Sequence, residues 1–76
     1  MMIPSDNVSL RDWAASLMVD FSTTDAIPEI DDETKWKEWG NIVASSPNFA
    51  SRGVPTTESF PNWQEWGIIV YVTMAR

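Results

Sequence analysis

The sequence predicts a small all-α domain, in which three helices surround a tryptophan-rich core and long proline-containing loops join them. Three observations predict it. Five of the 76 residues are tryptophan. Bulky apolar residues recur at helical spacing in three places. Two near-identical stretches, "KWKEWGNIV" at 35–43 and "NWQEWGIIV" at 62–70, state one pattern twice, 27 residues apart. A chain of this length makes one domain. Its core is small, and such domains are marginal unless densely packed.

The first helix is expected near residues 9–20. Leu10, Trp13, Ala14, Leu17 and Phe21 stand at i, i+3, i+4, i+7 and i+11. That spacing confines them to about 100° of the helix circumference, a single core-facing stripe. Ser9 followed by Asp12 resembles a capping box with Asp in place of Glu. The second helix is expected near 33–45, with Trp36, Trp39, Gly40 and Val43 on its stripe. Asp31 or Asp32 offers an N-cap, and Glu33 puts an anion in the first turn, where the dipole favours it. Ser45, Ser46 and Pro47 stop it. The third is expected near 60–75, with Trp63, Trp66, Gly67, Val70 and Met74 in register and Pro61 in the first turn.

Loops of about 12–14 residues join these helices, longer than the 2–8 usual between bundled helices. Each holds an aliphatic residue followed by proline, Ile27-Pro28 and Val54-Pro55. These pairs are expected to lie across a neighbouring helix as extended segments. Arg52-Gly53 supplies a turn in the second loop.

The helix centres align as Leu-Arg-Asp-Trp-Ala, Trp-Lys-Glu-Trp-Gly and Trp-Gln-Glu-Trp-Gly. The chain therefore reads as one domain of three degenerate units of about 26 residues. Ile3-Pro4 opens the faintest unit, the first. Glycine inside a helix costs about 1 kcal/mol relative to alanine. Gly40 and Gly67 recur on the buried stripe all the same, which predicts close approach of another segment to the backbone. The packing set is thus Trp13, Trp36, Trp39, Gly40, Trp63, Trp66 and Gly67. Paired tryptophans also build carbohydrate platforms and single-strand stacking grooves. These share a stripe with Leu, Val and Met, which favours core packing.

The third helix carries a surplus. Ile68, Ile69, Val70, Tyr71, Val72 and Met74 point in nearly every direction around the axis. A helix apolar all round must be covered on all sides. Either residues 67–73 are partly a β-strand, given their β-branched and aromatic content, or the helix docks against a second chain. The clean register from Trp66 through Val70 to Met74 favours docking. Ile68, Ile69, Tyr71, Val72 and Met74 are the expected partner-binding residues. Asn41 and Ala44, by contrast, give the second helix a water-facing side.

Composition limits the function. Cysteine and histidine are both absent. Thiolate chemistry is excluded, and the commonest metal ligand and neutral-pH base are missing. Eleven acidic and five basic residues give a net charge of −6. That disfavours nucleic acid and anionic membrane surfaces, both of which need clustered Lys and Arg. No apolar run reaches a membrane span. The opening "MMIPSDNVSL" lacks the basic and apolar regions of a signal peptide. Asp25, Glu29, Asp31, Asp32 and Glu33 form an acidic stretch without the glycine or ligand spacing of a calcium loop. Asp12, Glu38 and Glu65 precede the three central tryptophans and point outward, away from any shared cleft. No catalytic residue, cofactor or metal site is expected.

Trp-x-x-Trp helices with Ala or Gly after the second Trp, separated by proline-containing loops, resemble small virion proteins, and terminal modules of tail proteins, from short-tailed marine phages. The resemblance rests on Leu10–Leu17, Trp36–Val43 and Phe60–Met74. It implies a non-enzymatic structural subunit of the tail or head–tail region, located in the virion and docked onto a larger virion protein. Further copies of the chain are implied partners. A capsid decoration protein and a soluble acidic adaptor or inhibitor of a host protein are the competing expectations.

Overall fold

The computed structural model describes residues 2–21 and 27–75, with Phe21 described by its backbone alone. Asp25 of the acidic stretch lies outside the described residues. Four α-helices and one 3-10 turn follow one another, and no strand occurs among the described residues.

Helix α1, Leu10–Phe21, starts where Ser9 predicts. The Ser9 hydroxyl accepts the Asp12 backbone N–H at 3.1 Å, satisfying one of the first orphan donors. The second predicted helix is two elements, a 3-10 turn at Glu33–Lys35 and helix α2 at Trp36–Ser45. Asp32 caps the turn. Its carboxylate accepts the Thr34 hydroxyl at 2.8 Å and the Thr34 N–H at 3.0 Å. The same two bonds hold the Asp32 carboxyl below its ordinary pKa, the hydroxyl bond contributing most.

Pro47 does more than stop α2. Ser46 is extended, and Pro47 is the first residue of a short helix α3, Pro47–Ala50. Proline suits that position because its missing N–H is an orphan there in any case. Helix α3 exists to bury Phe49, which is fully enclosed. Four residues carry no periodic signal, so the sequence shows only a loop there. Gly53 then turns the chain at φ +87, in the left-handed region. Helix α4, Trp63–Ala75, begins three residues later than expected. Asn62 caps it, its Oδ1 accepting the Glu65 N–H at 2.9 Å, and Pro61 lies ahead of the cap. Residues 67–73 are helical throughout, which excludes the partial strand. At the far end Arg52 donates to the Met74 carbonyl at 3.5 Å, where the dipole favours a cation.

The described chain has a radius of gyration of 11.0 Å and extents of 27 × 23 × 22 Å. This near-isotropic shape suits elements wrapped round one centre rather than a flat or rod-like bundle. That centre is made of indoles. Trp13, Trp39 and Trp66, the second bulky residue of each repeat, form a triangle. Their ring centroids are 6.4, 6.0 and 6.1 Å apart and the planes cross at 75°, 74° and 82°. Edge-to-face packing sets positive ring edges against negative faces. The first tryptophans pack outside this triangle in matching fashion. Trp63 lies 5.6 Å from Trp13 at 41°, and Trp36 lies 6.3 Å from Trp66 at 45°. Leu10 is the residue at the corresponding sequence position of the first unit and is buried.

Two expectations about exposure are corrected. Ala44 is buried, and Asn41 is half-buried with its side chain engaged, so this side of α2 does not face water. Met74 is 3% exposed and belongs to the core. It continues the Trp66, Gly67, Val70 stripe one turn further, so a partner cannot reach it on the folded chain.

Candidate functional site

Two features bear on function: the proline segments that lie across the helices and the outer face of α4.

Trp39 donates its indole N–H to the Pro28 carbonyl, and Trp66 donates to the Pro55 carbonyl, both at 2.9 Å and both eleven residues upstream. Proline has no N–H of its own, and the residue before it is restricted to extended conformations. An aliphatic–proline pair is therefore a stiff strip with a strong acceptor, which an indole can hold. Val54 is buried and Ile27 half-buried in these strips. The glycines make room for neighbouring segments of the chain. A Cβ on Gly40 would sit 2.6 Å from the Thr57 methyl, and one on Gly67 would sit 2.7 Å from Pro4 Cγ. Both approaches are closer than a methyl group tolerates.

Thr57 is fully buried and held by two residues of α2. Asn41 Oδ1 accepts its backbone N–H at 2.9 Å and its hydroxyl at 2.9 Å, with the Lys37 carbonyl a second acceptor at 3.3 Å. This latch between α2 and the 54–57 segment joins residues sixteen apart, and no local sequence pattern signals it. Asn41→Ala is expected to cost about 1–3 kcal/mol, because it strands a buried donor. Asn41→Asp keeps the acceptor and should cost less at neutral pH. Urea titrations of the three proteins check the order. A second unforeseen link is Trp63, whose N–H reaches Glu33 Oε1 at 3.1 Å and ties α4 to the turn before α2.

A cavity of about 440 Å³ lies between α1 and residues 27–30, lined by Ala14, Ala15, Met18, Ile27, Ile30 and Trp39. Arg11 and Glu29 pair across its rim at 3.6 Å, both exposed, so the pair adds little stability.

The expected partner-binding residues divide. Ile68, Ile69 and Val72 are 43%, 39% and 47% exposed on α4, Tyr71 is half-buried, and Met74 is in the core. The expected packing residues Trp13, Trp39, Gly40, Trp63, Trp66 and Gly67 are buried, while Trp36 is half-buried against the core. Lys37 stands over the Trp36 ring at 5.9 Å from its centroid. Asp12, Glu38 and Glu65 are exposed, and no group of three or more metal-ligating side chains occurs among the described residues. No helix among the described residues is long and apolar enough to cross a membrane. Neither the known family models nor the curated proteins nor the solved structures include a match to this chain.

Proposed function

We propose that this chain is a non-enzymatic structural subunit of a phage virion, docked through α4 onto a larger protein of the tail or head–tail region. The observation that carries the reading is the row Ile68, Ile69 and Val72 on the outer face of α4. From Gly67 to Ala75 that helix has no charged residue. Elsewhere the surface of this acidic chain is studded with carboxylates, and burying those without partners is costly. Val19 on α1 and Ile3 are exposed as well, at 75% and 60%, but Ile68, Ile69 and Val72 stand together on one helix face, where another protein approaches without that cost. The resemblance of the Trp-x-x-Trp-Gly helices to small phage proteins supplies the setting.

Replacing Ile68, Ile69 and Val72 together with glutamine tests the docking role. Each is exposed, so stability should move by only about 0.5 kcal/mol per site, while incorporation into particles should fall sharply. Mass spectrometry of purified particles reads both presence and copy number. Absence of the unmodified chain from particles would refute the virion assignment.

A second reading draws on the exposed carboxylates Glu29, Asp31, Asp32, Glu33 and Glu38. On that reading the chain is a soluble acidic adaptor whose partner is basic. Size-exclusion chromatography separates the two. Assembly predicts self-association or poor behaviour in isolation, whereas the adaptor predicts a well-behaved acidic monomer.

A further inference from the structure

The indole N–H of Trp13 is buried, and no acceptor among the described residues reaches it. Its two counterparts in the central triangle are both satisfied, by a proline carbonyl eleven residues upstream. An unpaired buried donor carries the full desolvation penalty of the group, so this difference between the units calls for a cause.

The register differs: the residue at the eleven-residue place is not a proline, and its carbonyl does not reach the indole. Eleven residues before Trp13 stands Met2, whereas the first unit's aliphatic–proline pair is Ile3-Pro4. Pro4 comes nine residues before Trp13, as Thr57 comes nine before Trp66. The contacts follow the numbering: Thr57 lies over Gly40, and Pro4 lies over Gly67. The indole edges match too. Trp66 Cζ2 is 3.5 Å from where a Gly40 Cβ would be, and Trp13 Cζ2 is 3.4 Å from where a Gly67 Cβ would be. Cζ2 and Nε1 share a bonded neighbour, so the N–H edge of Trp13 faces the seam between α1 and α4. Residues 2–4 occupy that seam, with the Met2 N–H 3.4 Å from Ser16 Oγ on α1 and Pro4 against Gly67 on α4. The turn beyond them, closed by the Val8 N–H on the Ser5 carbonyl at 3.2 Å, and the Ser9 cap leave no slack. In cis, the Pro4 carbonyl cannot move to the eleven-residue position.

We infer that the α1–α4 seam is a binding site for an extended aliphatic–proline segment of a partner chain. The segment displaces residues 2–4 and brings Trp13 the proline carbonyl that the chain's own register denies it. The occupant is specified by the fold itself, which holds two such strips, Ile27-Pro28 and Val54-Pro55, in equivalent seams. A strip of this kind is already extended when free, so little conformational freedom is lost on binding. The site does not depend on the virion assignment, since any partner with such a segment would fit.

The test uses the full-length ¹⁵N-labelled protein and a synthetic peptide of residues 52–58, Arg-Gly-Val-Pro-Thr-Thr-Glu, with blocked ends. Binding is expected to move the Trp13 indole resonance downfield and slow its hydrogen exchange, leaving those of Trp39 and Trp66 in place. A peptide with alanine for proline should bind roughly tenfold more weakly. In a second arm, two residues inserted between Ser5 and Asp6 give the chain's own Pro4 the eleven-residue spacing. The Trp13 resonance should then sit downfield without peptide, and the peptide should no longer bind. A Trp13 resonance unmoved by peptide through the millimolar range overturns the proposal, as does equal action of the proline and alanine peptides.

Discussion

Trp66→Ala is expected to leave little folded protein at ambient temperature. Trp66 is fully buried and packs against Trp13, Trp36 and Trp39 at centroid distances of 6.0, 6.3 and 6.1 Å. Truncating a core tryptophan costs about 3–5 kcal/mol, more where the site cannot collapse. The neighbours here are rigid rings with two torsions each, so collapse is poor. The substitution also frees the Pro55 carbonyl and with it the 54–57 strip. A domain of this size has a total stability of roughly 4–11 kcal/mol at ordinary per-residue values. One substitution thus removes a large part of it. Urea titration monitored by far-ultraviolet circular dichroism reads the loss, and a change below about 2 kcal/mol would contradict the triangle as the core.

Gly40→Val comes next in expected effect, ahead of Gly67→Val. Glycine to a larger residue in a helix normally gains from propensity, by up to about 1 kcal/mol. Here the Gly40 Cβ would lie 2.6 Å from the Thr57 methyl. Thr57 cannot retreat without breaking its bonds to Asn41. The expected net cost is about 3 kcal/mol, at the upper end for overpacking. Gly67 meets Pro4, which has no such latch, and the expected cost is about 1–2 kcal/mol as residues 2–4 are pushed aside. Glu38→Gln and Glu65→Gln, at exposed positions in the same helices, should stay within about 0.5 kcal/mol. Thermal melts of the four variants give the order directly. Equal tolerance of all four would show that neither glycine is there for close packing.

Helices α1, α2 and α4 were legible because each has a three-to-four-residue apolar period; Ser9 and Asp32 marked the starts of the first two helical stretches, whereas the Asn62 cap of α4 was missed because Pro61 suggested an earlier start. The tryptophan core was legible for the same reason: every central tryptophan shares its stripe with Leu, Val or Met. Helix α3 was not, since one buried Phe49 in a four-residue turn makes no period. The Asn41–Thr57 latch escaped because a polar pair sixteen residues apart has no local signature, and Asn41 reads as a water-facing residue until its partner is placed. Met74 shows two signals in conflict. Its register with Trp66 and Val70 put it in the core, while the general apolarity of α4 suggested exposure. Register prevailed, because direction around the axis decides burial. The spacing of Ile3-Pro4 from Trp13 was visible in the sequence, but its meaning required the two satisfied indoles for comparison.

Corresponding tryptophans of the three segments meet in one edge-to-face triangle, with two of them gripping a proline strip. Proton NMR with assigned indole resonances tests it most directly. Ring-to-ring Overhauser contacts are expected for all three pairs among Trp13, Trp39 and Trp66. The N–H protons of Trp39 and Trp66 should also show contacts to the residues around Pro28 and Pro55, with slowed solvent exchange. Absence of contacts along any one side of the triangle, or rapid exchange of the Trp39 and Trp66 indole protons in the folded protein, would contradict it.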